Sequence, residues 1–168
     1  LNVNRMELRW AGRVSDRLGM GYEIQYHPAP DGAAEELIND AYIEYYANEA
    51  ITVRAGQFVK PFGFDIQHSS SARESPERGV FAGYFFPGHR DRGVMVAASL
   101  DAVVSGLTLR AGVFDGNRFF NDNNSDLNYN VRVRKAFAAL PLAIGASLQR
   151  GTQLLPPGVD GSADEDLF

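Results

Sequence analysis

The sequence predicts an all-β chain, an antiparallel meander of eight strands that reads as a transmembrane β-barrel. Three observations predict it. Eight segments alternate apolar and polar residues with a period of two, the mark of strands with two unlike faces. The connections between them alternate strictly, short then long, as in barrels with tight turns at one end and long loops at the other. The polar parity is rich in arginine, although the chain as a whole is acidic, with a formal net charge of −5.

The elements follow in order. RMELRWAGRV (5–14) sets Met6, Leu8, Trp10, Gly12 and Val14 against Arg5, Glu7, Arg9, Ala11 and Arg13. LGMGYEIQYH (18–27) sets Leu18, Met20, Tyr22, Ile24 and Tyr26 against Gly19, Gly21, Glu23, Gln25 and His27. In LINDAYIEYY (37–46), Ala41, Ile43 and Tyr45 oppose Asp40, Tyr42, Glu44 and Tyr46. In ITVRAGQF (51–58), Ile51, Val53 and Ala55 oppose Thr52, Arg54 and Gly56. GVMVAASL (93–100) gathers Val94, Val96, Ala98 and Leu100 on one side. GLTLRAGVF (106–114) opposes Leu107, Leu109, Ala111 and Val113 to Thr108, Arg110 and Gly112. YNVRVRKAF (129–137) opposes Tyr129, Val131, Val133 and Phe137 to Asn130, Arg132 and Arg134. LAIGASLQ (142–149) opposes Leu142, Ile144, Ala146 and Leu148 to Gly145, Ser147 and Gln149.

These segments run 8 to 10 residues, close to the roughly 9–11 of a tilted spanning strand and longer than the usual soluble strand of about 5–6. Short turns fall at 15–17, 47–50, 101–105 and 138–141; long connections fall at 28–36, 59–92, 117–128 and from 150 onward. Trp10, Tyr22, Tyr45, Tyr129 and Phe137 are expected to point outward, some as interfacial girdles. Lys135 has the same parity but sits beside a short turn, where it can snorkel to the interface. The competing reading is a soluble antiparallel domain whose apolar face is its core.

Composition narrows the function. The 168 residues suffice for one domain with a sizeable core. The absence of cysteine excludes disulfides and thiolate chemistry, and the acidic balance argues against nucleic acid as a partner. No stretch reaches the roughly 18 apolar residues of a spanning helix. Of the 16 basic residues only Lys60 and Lys135 are lysine. The wall arginines Arg5, Arg9, Arg13, Arg54, Arg110, Arg132 and Arg134 face only Glu7, Glu23, Asp40 and Glu44. The 59–92 loop adds Lys60, Arg73, Arg78, Arg90 and Arg92 against four acids. Wall and loop together therefore hold 12 basic and 8 acidic groups, a balance of +4, while the remaining residues stand at −9. A basic interior in an acidic chain suits anions, because guanidinium groups stay charged and present a planar fork to oxyanions.

No catalytic or metal constellation stands out, and no cofactor is expected. The HRD at 89–91 lacks the downstream Asn and the glycine-rich loop of a kinase. Ser69–Ser71 lack a nucleophile elbow, and His27, His68 and His89 are scattered. NDNNSD (121–126) is oxygen-rich but lacks the glycine of an EF-hand loop. The long 59–92 connection does stand out. Insertions of that length in compact domains are usually functional, and Phe62, Phe64, Phe81, Phe85 and Phe86 would anchor it either as a constriction folded into a barrel or as an extracellular loop packed over a neighbouring subunit.

DAYIEY (40–45), VRAGQFVKPFG (53–63), ERG (77–79), PGHRDRGVM (87–95) and AGVFDG (111–116) resemble, in order and spacing, the phosphate-selective porin O/P family. The resemblance covers roughly residues 5–150. It implies a 16-stranded barrel of the bacterial outer membrane, set in lipid, assembled as a homotrimer and passing small inorganic anions such as phosphate. It also implies an arginine ladder and a lysine cluster at an inward-folded loop; of that cluster only Lys60 falls at a lumen position. Eight strands would then be about half of the barrel, its N-terminal and central part, with 150–168 the start of a further extracellular loop. The alternative is a small closed eight-stranded barrel with a structural or adhesion role and no conduction, since such a barrel is filled by side chains. An outer-membrane enzyme is disfavoured by the lack of a Ser–His pair.

Overall fold

A computed structural model describes residues 6–28, 34–68, 90–116 and 126–151. They form β1 (Met6–Arg13), β2 (Leu18–Pro28), β3 (Ala34–Tyr46), β4 (Ile51–Val59), β5 (Arg90–Ser99), β6 (Leu107–Phe114), β7 (Asn128–Phe137) and β8 (Leu142–Arg150). A single turn of 3-10 helix covers Asp65–Gln67. The eight strands make one sheet in sequential order, every neighbour antiparallel. β1 does not pair with β8, so the sheet is open and the closed eight-stranded alternative is not what forms.

Short turns close by local hydrogen bonds. Asn48 Oδ1 accepts from the N–H groups of Ala50 and Ile51 at 2.9 and 2.8 Å, an Asx turn that reverses β3 into β4. Asp101 takes the Gly106 N–H at 2.5 Å and the Ser99 hydroxyl at 2.7 Å. Those two donors hold its carboxyl below the usual aspartate range. Lys135 donates to the Ser105 carbonyl of that turn and lies 5.6 Å from the Phe137 ring centre. Its ammonium thus reaches the turn, as the parity argument expects.

The expected faces are present. Trp10, Tyr22, Tyr45, Tyr129 and Phe137 are all exposed on the apolar face, with Met6, Leu8, Ile43, Ile144 and Leu148. The described residues make a single sheet, so no second layer covers this face as a sandwich would require. So large an apolar surface needs lipid or protein against it. Among the described residues no helix is long and apolar enough to cross a membrane; a barrel crosses with strands.

Three details depart from the alternation. First, the ladder of β4 and β5 continues through Phe58↔Asp91 and Val59↔Arg90. Backbone pairing is indifferent to side-chain polarity, so the long connection is 60–89, shorter than the expected 59–92, and Arg90 and Arg92 belong to a strand. Second, Asn39 is an extra residue between Asp40↔Glu23 and Ile38↔Ile24. This bulge turns Asn39 to the polar face beside Asp40, where its amide donates to Glu23 and Gln25 at 2.9 and 2.5 Å. The Gln57 amide donates to the Ile38 and Asn39 carbonyls next to it. Third, the polar face carries an apolar core of Phe58, Met95 and Phe114, with Tyr42 against it. The Phe58 and Phe114 rings meet edge to face at 5.5 Å.

Gly56 shows how tightly β3 and β4 approach. Its φ is +130°, and a Cβ would lie 2.3 Å from the Ala41 carbonyl oxygen and 2.7 Å from Tyr42 Cα. Gly56→Ala should destabilise the sheet by about 1–3 kcal/mol. A urea unfolding midpoint equal to that of the parent protein would contradict this.

Candidate functional site: the charged wall

The polar face divides into two tiers along the strands. The tier nearer the long loops holds acids and bases that neutralise one another. Arg90 reaches back to β2 and β3, with Nη2 2.7 Å from Glu23 and Nε 2.9 Å from Asp40. Glu23 and Asp40 are both buried, and Arg9 approaches Glu23 at 3.8 Å. Lys60, just after β4, lies 3.8 Å from the Asp91 carboxylate, and both residues are buried. Asp91 also accepts from the Arg92 and Gly116 N–H groups at 2.9 and 3.0 Å. Paired charges taken out of water need this full set of partners to persist.

The tier nearer the short turns is different. Arg54 sits opposite Glu44 and donates to it from Nε and Nη2 at 2.9 and 2.6 Å. Its guanidinium stacks 4.2 Å from the Tyr42 ring centre. Tyr46 donates to the other Glu44 oxygen at 2.7 Å, and Arg13 covers the Tyr46 ring at 4.2 Å. Arg110 and Arg132 are directly opposed across β6 and β7. Arg134 follows on the same face, opposite Thr108 and Gly145. Among the described residues, no carboxylate lies within ion-pairing distance of Arg110, Arg132 or Arg134. Like charges directly across a ladder destabilise it, so this arrangement needs a reason outside stability.

The beginning of the long connection folds over this wall. Residues 60–68 cross from β4 to the far side of the sheet, where the Gly63 N–H donates to Ser147 Oγ of β8 at 3.1 Å. Midway, Arg110 Nη1 donates to Gln67 Oε1 at 2.9 Å. The Gln67 amide in turn holds the Lys60 carbonyl at 2.5 Å. Ile66, in the 3-10 turn between, is buried.

The expected site residues therefore separate. Arg54, Arg110, Arg132 and Arg134 are brought into one band. Arg9 and Arg13 lie on the same face at its β1 edge, against Glu23 and Tyr46. Lys60 and Arg90 are engaged with carboxylates. Arg92 departs from its expected place on the constriction loop: it lies in β5 opposite Gln57, on the register of the apolar face, 3.4 Å from Asp115. Arg5, Arg73, Arg78 and residues 152–168 lie outside the described residues, as do Ser69–Ser71, Phe81, Phe85, Phe86 and 121–125. Gln67 and Ser147, which anchor the stem, carry no signal in the sequence; neutral side chains at such positions look like any polar wall.

A model of the family described as phosphate-selective porin O and P matches residues 1–166. The chain belongs to this family. No curated protein matches it. The open meander of the porin is a partial barrel wall of that fold, and the family is one of channels, not of enzymes.

Proposed function

We propose that the porin passes small anions by passive diffusion across the bacterial outer membrane, with Arg54, Arg110, Arg132 and Arg134 as the selective surface. The carrying observation is the band of three arginines with no carboxylate within 4 Å among the described residues, beneath a loop stem that lies across the polar face. Fixed guanidinium groups raise the local anion concentration and replace part of an anion's hydration. The neutralised tier closer to the long loops holds the stem, and the arginine tier beneath it selects. Phosphate as a permeant ion is what the family description suggests, and assembly as a homotrimer in outer-membrane lipid is what the resemblance implies.

Reversal potentials of the full-length porin in planar bilayers under a salt gradient test this. The parent channel should be anion-selective, and Arg132→Ala with Arg134→Ala should lower the anion-to-cation permeability ratio several-fold. A cation-selective parent, or a double variant with the parent's reversal potential, refutes the arginine-wall mechanism.

A further inference from the structure

The loop stem and the outer strands of the wall enclose a recess of about 430 Å³, within the range of small-molecule sites. Two kinds of group converge on it. Arg132 and Arg134 line one side, at alternate positions of β7 and about 7 Å apart along the strand. Phe62 and Phe64 line the other. Gly145, opposite Arg134, also lines it, and Ser147 ties the stem in place through Gly63.

Phe64 is the informative residue. It is 75% exposed, although Pro61 and Ile66 of the same stem are buried. Leaving a phenyl ring in water forgoes about 1.5–3 kcal/mol of burial. The ring packs on one side against His68, centres 4.1 Å apart and planes tilted by 45°, and the His68 ring nitrogen lies 2.9 Å from the Phe64 carbonyl. Gly63, with φ of +59°, forms the bend between the two phenylalanines. The ring is thus held in position at the recess.

Resting on the anion-pore reading, we propose that this recess is a binding site for aromatic carboxylates, the carboxylate lying across Arg132 and Arg134 and the ring against Phe64. A bare inorganic anion uses the guanidinium pair alone and gains nothing from Phe64. An arene carboxylate uses both, because aromatic rings attract one another edge to face or offset.

The test is block of chloride conductance in the full-length porin by benzoate and by acetate, which carry the same charge. Benzoate should half-block at a concentration roughly tenfold lower than acetate. Phe64→Ala, a change at an exposed position, should abolish the difference between the two. Arg132→Ala with Arg134→Ala should weaken block by both. Equal potency of benzoate and acetate on the parent channel overturns the site, as does a benzoate preference that Phe64→Ala leaves unchanged. In either case an anion-selective reversal potential leaves the pore reading standing. A cation-selective parent channel overturns both.

Discussion

Asp91→Ala is expected to cost the porin about 3–5 kcal/mol and to release the loop stem from the wall. Asp91 is fully buried and accepts from two backbone N–H groups as well as facing the Lys60 ammonium. Alanine leaves the Arg92 and Gly116 N–H groups without this acceptor and the buried ammonium without this counter-charge. Lys60 is the first residue of the stem, so the damage passes along 60–68 to the Gln67–Arg110 and Gly63–Ser147 contacts. Unfolding in urea followed by Trp10 fluorescence gives the stability change. Limited chymotrypsin digestion at Phe62, two residues beyond Lys60 in the stem, reports its release. A loss under about 1 kcal/mol, with Phe62 as resistant as in the parent, would show that the buried pair does not hold the loop.

The second large effect is on selectivity. Gln67→Glu places a carboxylate on Arg110, the member of the band that faces Arg132 across the ladder. The anion-to-cation permeability ratio should fall by roughly threefold or more, since a full charge is neutralised at contact distance. Stability should move the other way or little. The new carboxylate relieves the Arg110–Arg132 repulsion, while the lost bond to the Lys60 carbonyl costs about 0.5–1.5 kcal/mol. Gln67→Leu separates charge from anchoring: it removes both hydrogen bonds and should keep the anion preference. An unchanged reversal potential in Gln67→Glu would mean that permeating ions do not sense Arg110.

The two variants probe the two tiers, and the tiers differ in how legible they are. RMELRWAGR and NVRVRKAF determine by themselves that β1 and β7 are strands, and which side chains share a face, because the side-chain period of a strand is a local property. The strict alternation of short and long connections likewise determines the meander, since a short turn can join only adjacent antiparallel strands. Lys135 beside its turn and the outward aromatic residues follow from the same parity.

The partners of the charges follow from nothing local. Arg90 meets Glu23 and Asp40, which lie 67 and 50 residues earlier in the chain, and only the register of β2 and β3, with its bulge at Asn39, brings those acids together. A count of seven wall arginines against four acids therefore finds a surplus without saying which arginines hold it. Composition assigns Arg92 to the loop, but the β4–β5 ladder extends through polar residues and its register sets Arg92 on the apolar face. The core of Phe58, Met95 and Phe114 on the polar face, and the stem pinned by Gln67 and Ser147, were likewise decided by the tertiary structure. Alternation encodes which way a side chain points, while pairing and burial, and the lack of a carboxylate within 4 Å of Arg110, Arg132 and Arg134 among the described residues, depend on what other strands and loops bring opposite them.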